Sequence, residues 1–218
     1  MIKLNFYIPP HINENFQDSL NSPIATSFIL NSNSQNIIKA IVPEVDHRLK
    51  SGSSTKGTKP IYADINFKLN LGDYLQAGDD EIYIVSQLKI EKFPRCYRIL
   101  TSVINSKIDF LRLQEATVDN NGTILKQKGW NSIFEKEFLC SIDSQNFAFK
   151  ANSTSIGLEA SNEISIQTQF NFYTKKLKIG DRLYWGTVLY EISSFNFSQV
   201  DINFNKGLLT IIARSITL

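Results

Sequence analysis

The sequence is poor in the residues on which the commonest enzyme signatures depend. Only two cysteines and two histidines occur among its 218 residues. Cys96 and Cys140 lack CxxC spacing, which favours two buried thiols in a reducing compartment over a disulfide or a metal site. No GxSxG, GxxxxGK[ST] or GxGxxG sequence is present. A nucleophile elbow and the common phosphate-binding loops are therefore absent.

Long apolar runs and strong charge are missing as well. The longest largely apolar runs, such as 208–213, span about six residues, whereas a membrane helix needs ~18–20. Asn5 and Pro9-Pro10 break up the first ten residues, so we expect no secretory signal there. The net charge is only +2, with 20% charged residues. This is not the strongly basic footprint of a dedicated nucleic-acid binder.

What the sequence does contain favours β-structure. It has 28 Ile, 15 Phe and 8 Tyr against 9 Ala, and 42% of its residues are hydrophobic. Branched and aromatic side chains suit pleated, half-buried sheets better than helices. The composition predicts a folded chain that is mostly β.

An internal repeat predicts two domains. The passage Leu69–Gly78 matches Leu177–Gly186 at an offset of 108 residues, and Ser34-Gln-Asn recurs at Ser144. Weaker matches pair Phe28-Ile-Leu with Phe138-Leu-Cys, and the opening segment 2–6 with 107–111. Matches in the same order along the chain indicate a duplication. We place the first domain at 1–105 and the second at 106–218.

Short alternating segments between turn signals predict the elements of both domains. In the first domain we expect strands at 74–77, 81–87 and 97–103. In the second, a hairpin over 108–128 turns at Asp119-Asn-Asn-Gly122. The first domain has no such hairpin, and the spacing of Ile12, Phe16 and Leu20 predicts one short helix instead. The predicted fold is all-β, with two tandem small antiparallel β-barrel or sandwich domains and little helix.

A long loop at 46–60 carries a cluster of basic residues in the first domain. Its candidate functional residues are Arg48, Lys50, Lys56 and Lys59, set among Ser, Gly and Thr. One interpretation is a loop that reaches DNA or docks on an acidic neighbour; the other is a solvated surface loop.

Aromatic residues supply the candidate interface. Tyr184 and Trp185 are adjacent on a predicted strand, so they face opposite sides. One should point inward and the other should meet a neighbouring molecule or solvent, and Trp185 covering the end of its own barrel is an equal alternative. The alternation in Phe170-Asn-Phe-Tyr and Phe195-Asn-Phe predicts core strands rather than base-stacking platforms.

Catalysis has little support. His11 and His47 have no cysteine or carboxylate at a metal-ligand spacing. The densest carboxylate cluster, Asp79-Asp80-Glu81, lacks the DxDxDG continuation of a calcium loop and predicts a polar hairpin turn. We expect no enzyme activity, no metal and no cofactor.

One combination of features resembles a known family. The stretch Ile108–Trp130 contains an opening strand, an Asp-x-x-Gly turn and a tryptophan. The stretch Leu177–Ile192 contains a Gly-Asp-x-Leu turn followed by a Tyr-x-Ile strand, and 65–85 is a weaker second copy of that passage. These residues resemble the head–tail joining (stopper or head-completion) proteins of tailed bacteriophages, here as a tandem duplication.

The resemblance implies a virion structural protein, assembled in the host bacterial cytoplasm, that forms a homo-oligomeric ring in the neck below the portal. Such a ring lines or seals the DNA channel and joins the capsid portal to the tail. Its implied partners are its own copies, portal or adaptor and tail proteins, and double-stranded DNA in transient non-specific contact, with no membrane. The alternative is a tail, baseplate or receptor-binding module that recognises a surface ligand.

Overall fold

A computed structural model describes residues 11–43, 58–78, 81–92, 94–118, 124–126, 128–144 and 163–216. Within these ranges it contains one α-helix, one 3₁₀ turn and 17 β-strands. The prediction of an all-β protein with little helix is confirmed. The chain forms two compact units, Met1–Val103 and Ile104–Leu218. In the described ranges, no helix has the length and apolar character needed to cross a membrane.

The first unit is a closed antiparallel barrel of six strands with one helix. Its elements are α1 (His11–Asn21), β1 (Thr26–Leu30), β2 (Asn33–Ile41), β3 (Thr58–Asp64), β4 (Tyr74–Ala77), β5 (Glu81–Lys92) and β6 (Arg95–Val103). The strand order is β1-β2-β3-β6-β5-β4, and β4 closes the barrel by pairing with β1. Closure removes the exposed sheet edges that invite aggregation.

Side-chain alternation fills this barrel. Phe28, Ile61, Leu75 and Ile99, from four different strands, are all fully buried in one cluster. Each such side chain stabilises the fold by about 1.5–3 kcal/mol through burial. The predicted helix is present as α1, and its Phe16 and Leu20, four residues apart, pack on Cys96 of β6.

The second unit contains eleven strands within the described ranges. They are β7 (Ser106–Ile108), β8 (Phe110–Gln114), β9 (Thr117–Val118), β10 (Ile124–Lys126), β11 (Gly129–Ser132), β12 (Phe138–Ser144), β13 (Glu163–Gln169), β14 (Arg182–Trp185), β15 (Val188–Asn196), β16 (Val200–Asp201) and β17 (Lys206–Ser215). The path of the main sheet is β11-β8-β14-β15-β17-β13-β12-β7, and β16 pairs with β17. The predicted opening hairpin appears as the antiparallel pair β9 and β10.

The main sheet of the second unit curls into the circular strand order of the first. Asp109 alone separates β7 from β8. β7 pairs with β12 and β8 pairs with β14, as β1 pairs with both β2 and β4 in the first unit. The strands β12, β13, β14, β15 and β17 thus take the places of β2, β3, β4, β5 and β6.

This topology changes two of the matches expected from sequence. Ser34 is the second residue of β2, whereas Ser144 is the last residue of β12, the equivalent strand. Phe28-Ile-Leu lies in β1, whereas Phe138-Leu-Cys lies in β12, which takes the place of β2. The reason is an insertion in the second unit. β1 and β2 are joined by a tight turn with positive φ at Asn31 (51°) and Ser32 (60°), whereas β9, β10 and β11 stand between β8 and β12. The opening segment 2–6 lies outside the described residues.

Candidate functional site

The turn before β14 is closed by a buried aspartate. Asp181, 3% exposed, accepts a 2.7 Å hydrogen bond from the backbone N–H of Lys178 on Oδ2. Gly180 adopts φ 90° and donates its N–H to the carbonyl of Ile192, while the N–H of Ile192 returns to the carbonyl of Asp181. Glycine serves here because it adopts positive φ without a steric penalty. The turn fixes where β14 enters the barrel.

The first unit builds the same turn before β4. Asp73 Oδ2 accepts the N–H of Asn70 at 2.8 Å. Gly72, at φ 80°, donates to the carbonyl of Val85, and the N–H of Val85 donates to the carbonyl of Asp73. Every one of these partners is offset by 107 or 108 residues from its counterpart. The Gly-Asp passages are therefore equivalent in three dimensions.

The two aspartates differ in the side chain that meets their second oxygen. In the first unit, Asn31 Nδ2 donates to Asp73 Oδ1 at 2.9 Å. In the second, Arg112 of β8 forms two 2.7 Å bonds, from Nε to Asp181 Oδ1 and from Nη2 to Oδ2. The hydrogen bond to Asp181 raises the pKa of the Arg112 guanidinium. An amide holds the carboxylate in one copy, and a guanidinium holds it in an ion pair in the other.

The structure places Tyr184 and Trp185 on opposite sides of β14. Tyr184 is 53% exposed. Trp185 packs against the core of its own unit, and its Nε1 donates to Ser106 Oγ at 3.1 Å. Of the two candidate interface residues, Tyr184 alone presents most of its side chain to the surroundings.

Tyr184 belongs to an outer-face cluster that the sequence analysis did not assemble. Arg182 lies on the same face of β14, and its guanidinium sits 4.0 Å from the ring centre of Trp130 on β11. Leu113 pairs directly with Trp130, and both are exposed. We call Leu113, Trp130, Arg182 and Tyr184 the outer-face cluster. Three strands distant in sequence contribute to it, which is why spacing along the chain gave no signal.

The basic loop lies mostly beyond the described residues, which hold none of Arg48, Lys50 or Lys56. Lys59 is described, and it lies in strand β3 rather than in a loop. Its Nζ donates to the Tyr83 hydroxyl at 2.8 Å, and that hydroxyl donates to Glu81 Oε2 at 2.6 Å. The hydrogen bond to Tyr83 raises the pKa of Lys59, and burial raises the pKa of Tyr83. Lys59 thus ties β3 to β5.

The two cysteines are buried, one in each unit. Cys96 and Cys140 are free, buried thiols, and burial raises their pKa values to about 11 and about 12. No group of three or more His, Cys, Asp or Glu side chains there is placed to hold a metal. His47, Asp79 and Asp80 fall outside it.

One sequence interpretation is wrong at the end of the second barrel. Phe170 is buried, but Phe172 and Tyr173 lie in the turn after β13 and are exposed, as is Phe197 after β15. The alternation predicted core strands, yet β13 ends at Gln169 and β15 at Asn196. Asn171 ends the pattern by capping the turn, since its Oδ1 accepts the N–H groups of Tyr173 and Thr174.

Comparison with known proteins identifies no family for this chain. No family model matches the chain, and no curated protein matches it. A search of solved structures returned a chain described as "Structure of K. pneumonia MrkH-c-di-GMP complex", with 11% identity and a TM-score of 0.21 over 95% of this chain and 85% of that one. A score this low carries no argument about function. The described residues define the class, a tandem of two β-modules: a closed six-stranded barrel and a curled sheet that repeats its circular strand order.

Proposed function

We propose that this chain is a non-enzymatic virion structural protein that oligomerises into a ring in the head–tail neck of a tailed phage. In this role the ring lines or seals the DNA channel and joins the portal to the tail. The observation that carries the proposal is the recurrence of one module, with the same circular strand order and the same Gly-Asp turn in both units. The stretches that resemble head–tail joining proteins include this turn.

A tandem of one module suits a ring component for a geometric reason. A contact between two different faces of one chain, repeated by rotation, closes into a ring. The outer-face cluster provides apolar and aromatic surface for such a contact, and Trp, Tyr and Arg dominate the energetics of protein interfaces. The inserted strands of the second unit set its entrance apart from that of the first, which suits different partners above and below the ring.

Oligomeric state tests the ring directly. Purified full-length chain should give one assembly of defined stoichiometry in mass photometry and closed rings in negative-stain images. Trp130→Ser with Tyr184→Ser should shift the population toward monomer at least about ten-fold, since each interface aromatic is worth ~2 kcal/mol or more. Ile90→Ser, an exposed apolar change in the first unit, is the control. A strictly monomeric protein at every concentration and salt tested contradicts the ring.

The virion role has its own test. Phage in which the gene is interrupted should release heads and tails that do not join, and complementation should restore joined particles. Mass spectrometry of purified wild-type virions should detect the chain. Absence of the chain from purified infectious particles would rule out a structural role.

The alternative, a tail or receptor-binding module, rests on Trp130. Its exposed ring resembles the aromatic platforms that stack on sugars. Glycan-array binding that Trp130→Ala abolishes, by a monomeric chain, would favour this function over the ring.

A further inference from the structure

Two turns meet at one end of the second barrel and form a surface that the proposed ring contact does not use. The first turn follows β13 and the second joins β16 to β17. Lys175 Nζ links them by a 3.1 Å hydrogen bond to Asn205 Oδ1. We call the exposed residues here the lysine–aromatic patch: Phe172, Tyr173, Phe204, Lys136, Lys175, Lys176 and Lys206.

Two rings of this patch are among the most exposed large hydrophobic side chains in the described residues. Phe204 is 72% and Phe172 is 61% exposed. Tyr173 stands edge-on to Phe172, with ring centres 5.8 Å apart. Exposed aromatic surface concentrated in this way marks a binding site rather than a core that failed to close.

Each ring carries an ammonium group. Lys136 Nζ lies 3.2 Å from the ring centre of Tyr173, and Lys176 Nζ lies 4.2 Å from that of Phe172. On the second turn, Lys206 Nζ lies 5.3 Å from the centre of Phe204. Positive charge and ring faces therefore alternate across the patch.

The patch lysines are all exposed in the described part of the chain. Four other cations of the second unit each pair with a carboxylate: Arg112, Lys128, Arg182 and Arg214. None of the four patch lysines forms an ion pair with a carboxylate within the described ranges. The nearby Asp201 carboxylate instead caps its own turn, accepting the N–H groups of Asn203 and Phe204. The patch thus complements an anionic ligand.

We propose that the lysine–aromatic patch binds single-stranded nucleic acid. Lysines contact the phosphates, and unpaired bases stack on the exposed Phe and Tyr rings, the combination that sequence-independent single-strand sites use. A duplex keeps its bases stacked on one another, so it gains the phosphate contacts alone.

An anionic membrane fits this geometry less well. In proteins that bind an anionic membrane, apolar side chains enter the acyl region, and flanking lysines extend back to the lipid headgroups. Here the ammonium groups lie over the rings themselves, so inserting Phe172 or Tyr173 would carry charge into the hydrocarbon.

Fluorescence anisotropy on the full-length chain tests the proposal. The probes are a labelled 20-nucleotide oligo-dT, a labelled 20-base-pair duplex and vesicles of phosphatidylcholine with phosphatidylserine. Oligo-dT should bind at least about ten-fold more tightly than the duplex. Four phosphate contacts should weaken binding roughly fifty-fold between 50 and 200 mM salt.

Variants separate the rings from the lysines. Phe172→Ala and Phe204→Ala should each weaken oligo-dT binding at least about five-fold, because each stacked base is worth ~1 kcal/mol or more. Replacing Lys136, Lys175, Lys176 and Lys206 with Gln should abolish the salt dependence. The matched controls are Tyr184→Ala, on the outer-face cluster, and Gln at four exposed lysines elsewhere: Lys39, Lys68, Lys92 and Lys107.

Each of three results would overturn the proposal. Equal affinity for oligo-dT and duplex, binding to vesicles alone, or equal losses in patch and control variants would each reject a single-strand site here. Ring assembly is tested by variants of the outer-face cluster, and nucleic-acid binding is tested by variants of the lysine–aromatic patch. Either proposal can therefore be rejected without rejecting the other. Thermal unfolding of every variant checks that the changes at these exposed positions leave the fold intact.

Discussion

Arg112 and Asp181 form a two-bond ion pair that joins β8 to the turn before β14. Both bonds measure 2.7 Å, and the Arg112 Nη2 also donates to the carbonyl of Lys176 at 2.8 Å. The equivalent aspartate in the first unit, Asp73, is held by Asn31 instead. The carboxylate of the Gly-Asp turn is thus held by a guanidinium in one module and by an amide in the other.

Loss of Asp181 should destabilise the second unit strongly. Asp181→Ala leaves the Arg112 guanidinium without its carboxylate and frees the Lys178 N–H, so we expect a loss of about 3 kcal/mol. Arg112→Met should lose about 2 kcal/mol, and the double variant less than the sum of the two. Both tryptophans, Trp130 and Trp185, belong to this unit, so urea unfolding followed by tryptophan fluorescence reports it.

The control for this cycle is an ion pair on the surface. Arg214 pairs with Glu163, and its side chain is mostly exposed. Arg214→Met should cost about 0.2–1 kcal/mol. Equal losses for Arg112→Met and Arg214→Met would show that the buried carboxylate plays no special part.

Gly207 should not tolerate a side chain. It is the second residue of β17, at φ 133°, and a methyl group there would press on the carbonyl oxygen of Gln199 and lie 2.8 Å from the Cα of Val200. Both neighbours are backbone atoms and cannot move aside cheaply. Gly207→Ala should therefore cost about 2–4 kcal/mol in the same urea measurement. Gly186→Ala, where positive φ is the one obstacle, should cost about 1 kcal/mol.

Sequence reasoning succeeded where the signal was local and failed where it was not. The Gly-Asp turns, β4, β14 and the helix followed from alternation, spacing and turn chemistry within about ten residues. The outer-face cluster escaped because cross-strand pairing brings Trp130 and Arg182 together. The exposed Phe172 was wrongly assigned to a core strand. The alternation of aromatic and polar residues in the sequence is the same whether the strand continues or ends at a turn capped by Asn171.

Lys59 illustrates the same limit at a predicted functional residue. In sequence it closes a basic loop, but in the fold its ammonium is bound to a tyrosine hydroxyl. Whether the Lys59 ammonium is free to bind a partner depends on Glu81 and Tyr83 of β5, which are 22 and 24 residues away in the sequence. No local pattern contains that information.

Tyr83→Phe should weaken the first unit alone. The change removes a hydroxyl that accepts from Lys59 and donates to Glu81, so we expect a loss of about 1–2 kcal/mol. Far-UV circular dichroism, which follows both units, should record an earlier transition. The tryptophan-detected midpoint should stay where it is in the wild type. Tyr97→Phe on β6, a partly buried tyrosine of the same barrel, serves as the comparison.

The buried thiol of Cys140 should make the second unit less stable at high pH. Burial raises the pKa of this thiol from 9.0 to about 12, so the folded state keeps a proton that the unfolded state releases. The unfolding free energy should then fall as pH rises above 9, by about 1.4 kcal/mol per unit up to pH 11. Cys140→Ala should flatten this slope in tryptophan-detected urea unfolding. Cys96→Ala, in the first unit, should leave it steep, and an equally steep slope in both variants would mean that another group is responsible.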